Sequence, residues 1–121
     1  MKRILVIKFN KTVRDIMVEL LREQGYLVVA PPSLDVSLQE LVRSHLGKGQ
    51  VDLVITGLRM ADQPDPAQLL RAVYERIDSK KVIISTGGEI PRGYKNRRKI
   101  LENPTDWDGW LQTIKRLAPI S

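Results

Sequence analysis

Four short apolar runs, separated by stretches of helical periodicity, set the first limit on how this chain folds. The runs are Ile4-Leu5-Val6-Ile7, Tyr26-Leu27-Val28-Val29, Val51-Asp52-Leu53-Val54-Ile55 and Val82-Ile83-Ile84. They are rich in β-branched residues and nearly continuous rather than alternating, the pattern of strands buried on both faces. Between them apolar residues recur at steps of three and four. Val13, Ile16, Met17, Leu20 and Leu21 lead to Gly25, and Leu38, Leu41, Val42 and Leu46 lead to Gly47. Leu69, Leu70, Val73 and Ile77 follow Pro66, a residue suited to a helix start. Trp107, Trp110, Leu111 and Ile114 follow Thr105 and Asp106, either of which can cap a helix. Ile100-Leu101 offers a fifth strand. Such alternation, with right-handed crossovers, predicts an α/β fold: a doubly wound, five-stranded parallel sheet with helices on both faces.

Composition narrows the chemistry. A length of 121 residues predicts one domain spanning 1–121. The absence of cysteine excludes disulfides, thiolate metal sites and cysteine nucleophiles, and His45 alone makes neither a histidine zinc site nor a triad. Met1-Lys2-Arg3 precedes too short an apolar run for a signal peptide, and no run approaches a membrane span. We therefore expect a soluble, cytoplasmic protein that is not an enzyme, with no cofactor, no metal and no membrane partner.

Ligands of doubly wound sheets sit beyond the carboxyl ends of the strands. Here those ends are Lys8-Phe9-Asn10, Thr56-Gly57, Ser85-Thr86 and Asn103-Pro104. The stretch between Thr86 and Ile100 holds Gly87, Gly88, Pro91 and Gly93, so the helix expected there, the fourth of the alternation, should be short or missing.

With these elements in order, the chain resembles a response-regulator receiver domain (CheY-like), the phosphorylatable module of bacterial two-component signalling. The strongest match is Asp52-Leu53-Val54-Ile55-Thr56-Gly57-Leu58-Arg59-Met60. Ile4-Leu5-Val6-Ile7, Gly25-Tyr26, Ile83-Ile84-Ser85-Thr86-Gly87 and Pro104 support it. The resemblance implies a receiver sheet in the order 2-1-3-4-5. It also implies a pocket of two acids after the first strand, a phosphoacceptor acid after the third, a hydroxyl after the fourth and a lysine before the last proline. A Mg²⁺ held by the acids offsets charge while the carboxylate attacks a phosphoryl group. In this chain the acidic pair falls on Lys8 and Phe9, the acceptor on Gly57 and the lysine on Asn103, and only Thr86 is kept. Three acids and one lysine sum to −2, whereas Lys8 alone gives +1. Such a pocket repels a hard dication, so we expect no Mg²⁺ and no phosphorylation. Relocation to Asn10, Thr56, Asp62 or Asp65 is disfavoured by geometry; strand alternation points Thr56 away from the pocket.

Lys8 admits two readings. In one its ammonium fills the vacated metal position as a structural plug; in the other it binds an anion with Thr86 and the Gly87-Gly88 amides. The plug is favoured, because one lysine and a glycine pair make a weak phosphate signal. Trp107 and Trp110 keep helical register with Leu111 and Ile114, which argues for core contact. The basic run Arg92, Lys95, Arg97, Arg98 and Lys99, with Tyr94 inside it, is the concentrated charge of a chain of formal net charge +6. It is either a solvated loop or a partner-binding surface. Receivers also carry an aromatic three residues before the lysine that reports pocket occupancy; that position is Ile100 here. The sequence thus reads as a pseudo-receiver: a phosphorylation-independent module with a protein partner. A nucleic-acid-associated regulator using residues 92–99 and a small-anion or nucleotide sensor at the strand ends remain alternatives.

Overall fold

The computed structural model describes residues 2–8, 10–31, 38–46, 51–57, 66–86, 93, 99–101 and 107–120. The strands are β1 (Arg3–Ile7), β2 (Leu27–Val29), β3 (Leu53–Thr56), β4 (Val82–Thr86) and β5 (Lys99–Leu101). The helices are α1 (Lys11–Glu23), α2 (Leu38–His45), α3 (Pro66–Arg76) and α4 (Trp107–Leu117), with a 3₁₀ turn at Ser79–Lys81 leading into β4. All strand pairs are parallel and the sheet order is β2-β1-β3-β4-β5. The order reverses between β2 and β3, which places a crevice at the carboxyl ends of β1 and β3.

The runs of β1, β3 and β4 are buried on both faces, as strands enclosed between helices require. At the edge strand β2 Leu27 is exposed, because among the described residues no further strand or helix covers that side. Ile4, Val6, Leu53, Ile55 and Ile83 pack with Met17 and Leu21 of α1 and with Trp110, Leu111 and Ile114 of α4. Leu5, Ile7, Val54 and Val82 point the other way, onto Leu46 after α2 and onto Leu69, Val73 and Ile77 of and after α3. Each such aliphatic side chain, removed from water, contributes about 1.5–3 kcal/mol. Trp110 lies in the core and meets the half-buried Trp107 edge-on at 5.4 Å between ring centroids, in line with the register read from the sequence.

The apolar stripe of α1 packs on the core as read from the sequence at Val13, Met17, Leu20 and Leu21, and departs from that reading only at Ile16. Arg14, Met17 and Leu21 face the sheet, while Ile16 is 37% exposed. Residues 14, 17 and 21 follow three- and four-residue steps, and Ile16 lies about 100° round the helix from Met17. The third strand also starts later than its apolar run, at Leu53. The Asp52 carboxylate accepts the Arg3 N–H at 2.7 Å and the Asp52 N–H donates to the Arg3 carbonyl, which closes the rim of the sheet there.

At the edge strand β2, Arg22 Nη2 donates to the Val28 carbonyl at 3.2 Å and so occupies an acceptor that a further strand would use. The turn before β2 places Gly25 at φ +98°, a left-handed conformation that glycine adopts without strain. Tyr26 Oη donates to the Ala118 carbonyl at 2.6 Å, fastening the end of α4 to the start of β2. No helix among the described residues is long and apolar enough to cross a membrane. The segment between β4 and β5, where a short or missing helix is expected, lies outside the described residues except for Gly93, a turn residue at φ +97°.

Candidate functional site

Register brings Lys8, Gly57 and Ser85 into one row. Ile7 pairs with Thr56 and Thr56 with Ile84, and the Gly57 N–H donates to the Ile7 carbonyl at 2.7 Å. One residue further along each strand lies this next row, on the side of the sheet covered by α1 and α4, because Lys8 continues the alternation of Ile4 and Val6.

Lys8 is only 9% exposed and reaches across the row, its Nζ donating to the Ser85 carbonyl of β4 at 3.0 Å. It passes over Gly57. A Cβ placed at residue 57 would stand 3.2 Å from Lys8 Cδ and 3.4 Å from Lys8 Nζ, and 3.3 Å from the Ile7 carbonyl oxygen. The lysine arm thus lies where a side chain of residue 57 would begin, and glycine is the residue that leaves it room. From the other side, Arg14 of α1 is 7% exposed and donates from Nη1 to the Lys8 carbonyl at 3.2 Å. Two buried cations therefore share the carboxyl end of β1.

The local fold explains how these groups are held. Asn10 caps α1, its side-chain oxygen accepting the Val13 N–H at 3.0 Å, which starts the helix three residues beyond Lys8. That start turns Arg14 back over the strand end. On the outer surface of α1, the Lys11 ammonium hydrogen-bonds Asp15 at 2.7 Å. This bond, together with the charges of Lys11 and Arg14, holds the Asp15 carboxyl below the usual carboxylate range. Thr56 is buried, and its Oγ1 donates to the Gly57 carbonyl at 2.9 Å. Alternation sets it on the opposite side of the sheet from Lys8 and Gly57, as expected.

Of the expected pocket residues, the structure brings Lys8 and Gly57 together and gives the backbone of Thr86 as the last residue of β4. Phe9 and Asn103 lie outside the described residues, as do Arg92, Tyr94, Lys95, Arg97 and Arg98; Lys99 is described by its backbone alone, at the start of β5. Arg14 was not among the sequence candidates. The 14-17-21 spacing was its signal, hidden because an arginine in an apolar stripe reads as a flank.

The sheet order, the parallel register and the crevice at β1 and β3 can now be set against known folds. The chain is similar over 97% of its length to 99% of a response regulator of Thermotoga maritima, solved in complex with Mg²⁺-BeF, with a TM-score of 0.72 and 21% identity. A two-component response regulator from Clostridium difficile aligns with a TM-score of 0.75 at 14% identity, over 97% of this chain and 95% of that one. The fold is that of a receiver domain. A histidine kinase–response regulator complex also matches, with a TM-score of 0.74 and 21% identity, over 98% of this chain and 99% of the matched one. No family model matches the sequence, and no curated protein matches it either.

Within this receiver fold, a hard divalent cation does not fit the residues described. Mg²⁺ takes anionic and neutral oxygen ligands in near-octahedral geometry. At the ends of β1 and β3 the side chains offered are an ammonium and a hydrogen atom, with a guanidinium behind them. Among the described residues no cluster of three histidine or carboxylate side chains is close enough to hold a metal.

Proposed function

We propose that this chain is a degenerate receiver, a single domain that works as a phosphorylation-independent protein-interaction module in bacterial signal transduction or transcriptional regulation. The observation that carries the reading is the Lys8 arm, which crosses Gly57 and ends on the Ser85 carbonyl. It sets a cation where a phosphorylatable receiver requires acids, and it ties β1 to β4 over β3. A pocket so filled offers neither a nucleophile at residue 57 nor a place for the charge-neutralising metal. The module is then non-catalytic and recognises its partner in one fixed conformation. A protein partner is supported by the similar response regulator solved with a histidine kinase. The basic segment 92–99 is the candidate contact surface.

Incubation with a small-molecule phosphodonor and Mg²⁺, followed by intact mass measurement, tests this reading. The expected result is an unchanged mass. A stoichiometric phosphoryl adduct overturns it.

A further inference from the structure

We propose that the amino edge of the sheet, where the strands begin, binds the phosphate backbone of double-stranded nucleic acid. It involves neither the strand-end pocket nor the 92–99 segment, and so goes beyond the interaction module. Topology gathers its cations. Lys2 precedes β1, and Lys81 leads from the 3₁₀ turn into β4. Val82 pairs with Val54 and Val54 with Leu5, so Lys81 stands at the start of β4, two strand spacings or about 10 Å from β1. The last turn of α4 carries Lys115 and Arg116 to the same edge. The Ala118 carbonyl just beyond them accepts the Tyr26 hydroxyl, and Tyr26 leads into β2, whose Leu27 pairs with Arg3.

Three carboxylates beside these cations are already engaged. Asp52 accepts the Arg3 N–H at 2.7 Å, Asp78 accepts the Lys80 N–H at 2.9 Å, and Glu75 lies 3.7 Å from Arg76. Lys81, Lys115 and Arg116 are exposed and Lys2 is half-buried, and among the described residues none of these four makes an ion pair. A helix dipole accounts for cations in the last turn of α4, but not for Lys2 before a strand or for Lys81 after a turn of three residues. The composition selects the partner. Protein interfaces are anchored by aromatic side chains and depleted of lysine, whereas phosphate backbones are held by lysine and arginine. Three of the four cations are lysines, and Tyr26 at this edge is buried. Nucleic-acid interfaces are polar and strongly positive in the same way.

The test titrates the whole chain against a short mixed-sequence DNA duplex, followed by fluorescence anisotropy from about 50 to 200 mM salt. Four phosphate contacts predict a slope of about −3.6 for the logarithm of affinity against the logarithm of salt. The double variant Lys81→Gln, Lys115→Gln should reduce that slope by about two and weaken binding at least about tenfold at the low-salt end. Both side chains are exposed, so its Tm should match that of the wild type. In ¹H–¹⁵N spectra the duplex should shift the amides of Lys2, Lys81, Lys115 and Arg116. Absence of salt-dependent binding overturns the proposal, as does a loss confined to Arg97→Gln, Arg98→Gln, which would place the contact in the 92–99 segment. Tighter binding to polyglutamate than to the duplex would assign the edge to an acidic protein, and binding to phosphatidylserine vesicles alone would assign it to a lipid surface; either result overturns it too. None of these readouts depends on a phosphoryl adduct, so failure here is distinguishable from failure of the interaction-module reading.

Discussion

Giving residue 57 a side chain should cost stability through Lys8, and the size of that cost can be worked from three contacts. A Cβ at residue 57 meets Lys8 Cδ at 3.2 Å, the Ile7 carbonyl at 3.3 Å and Lys8 Nζ at 3.4 Å. The carbonyl gives little, because it already accepts the Gly57 N–H at 2.7 Å. The lysine arm can swing aside, but only by releasing the Ser85 carbonyl, a charged hydrogen bond of about 1.5–3 kcal/mol. Overpacking of this kind costs about 1–3 kcal/mol. Gly57 does not adopt a left-handed φ, so alanine meets no backbone strain there and gains its usual unfolded-state benefit in any background. We expect Gly57→Ala to destabilise the wild type by about 2 kcal/mol and the Lys8→Ala variant by about 1 kcal/mol, where the carbonyl contact alone remains. The assay is a double-mutant cycle from urea unfolding midpoints with unchanged slopes. A coupling of about 1 kcal/mol supports the geometry. Costs that agree between the two backgrounds to within about 0.3–0.5 kcal/mol refute it, since that is the behaviour of independent sites.

Other consequences are more local. Tyr26→Phe removes the bond to the Ala118 carbonyl and should cost about 1 kcal/mol in urea unfolding. Burial holds the Tyr26 phenol above its ordinary value of 10.0, so the unfolded chain ionises first; its contribution is complete below that pH and is lost as pH rises through the folded pKa. The alkaline decline in Tm should therefore be shallower in Tyr26→Phe, and an identical decline would contradict the assignment. Gly25→Ala places a side chain at φ +98° and should lose about 1 kcal/mol or more, with no coupling to Lys8→Ala in the same unfolding assay. With two tryptophans in the chain, Trp107→Phe should leave a blue-shifted emission from the buried Trp110 that iodide quenches poorly, while Trp110→Phe should leave a more readily quenched one.

Strand and helix order could be read from the chain because the apolar spacing changes period sharply, from continuous runs such as Ile4 to Ile7 to the three- and four-residue steps of α1 and α3. Continuous runs demand cover on both faces, and two layers of helix supply it. The stripe of α1 was harder, because Ile16 and Arg14 have the wrong polarity for their places: the apolar residue is exposed and the cation buried. Polarity alone assigned them the reverse way. At the strand ends, Lys8 and Gly57 were visible in the sequence as departures from the acids that the resemblance implies there. Their relation to each other was not, because it depends on register. Only the pairing of Ile7 with Thr56 and of Thr56 with Ile84 sets residues 8, 57 and 85 in a row short enough for one lysine to cross. The Ser85 acceptor is a backbone carbonyl, which carries no sequence signal at all. The basic run 92–99 falls outside the described residues apart from Gly93 and the backbone of Lys99, so its part in docking rests on the sequence.

The central claim, that the Lys8 ammonium holds the place a metal would need, is tested most directly by titrating Mg²⁺ against the backbone amides of Lys8, Gly57 and Thr86 in ¹H–¹⁵N spectra. The wild-type chain should show no saturable shift at these three amides. The Lys8→Asp, Gly57→Asp double variant, which withdraws the cation and restores two carboxylates, should show one. Saturable Mg²⁺ binding at those amides in the wild type would contradict the account.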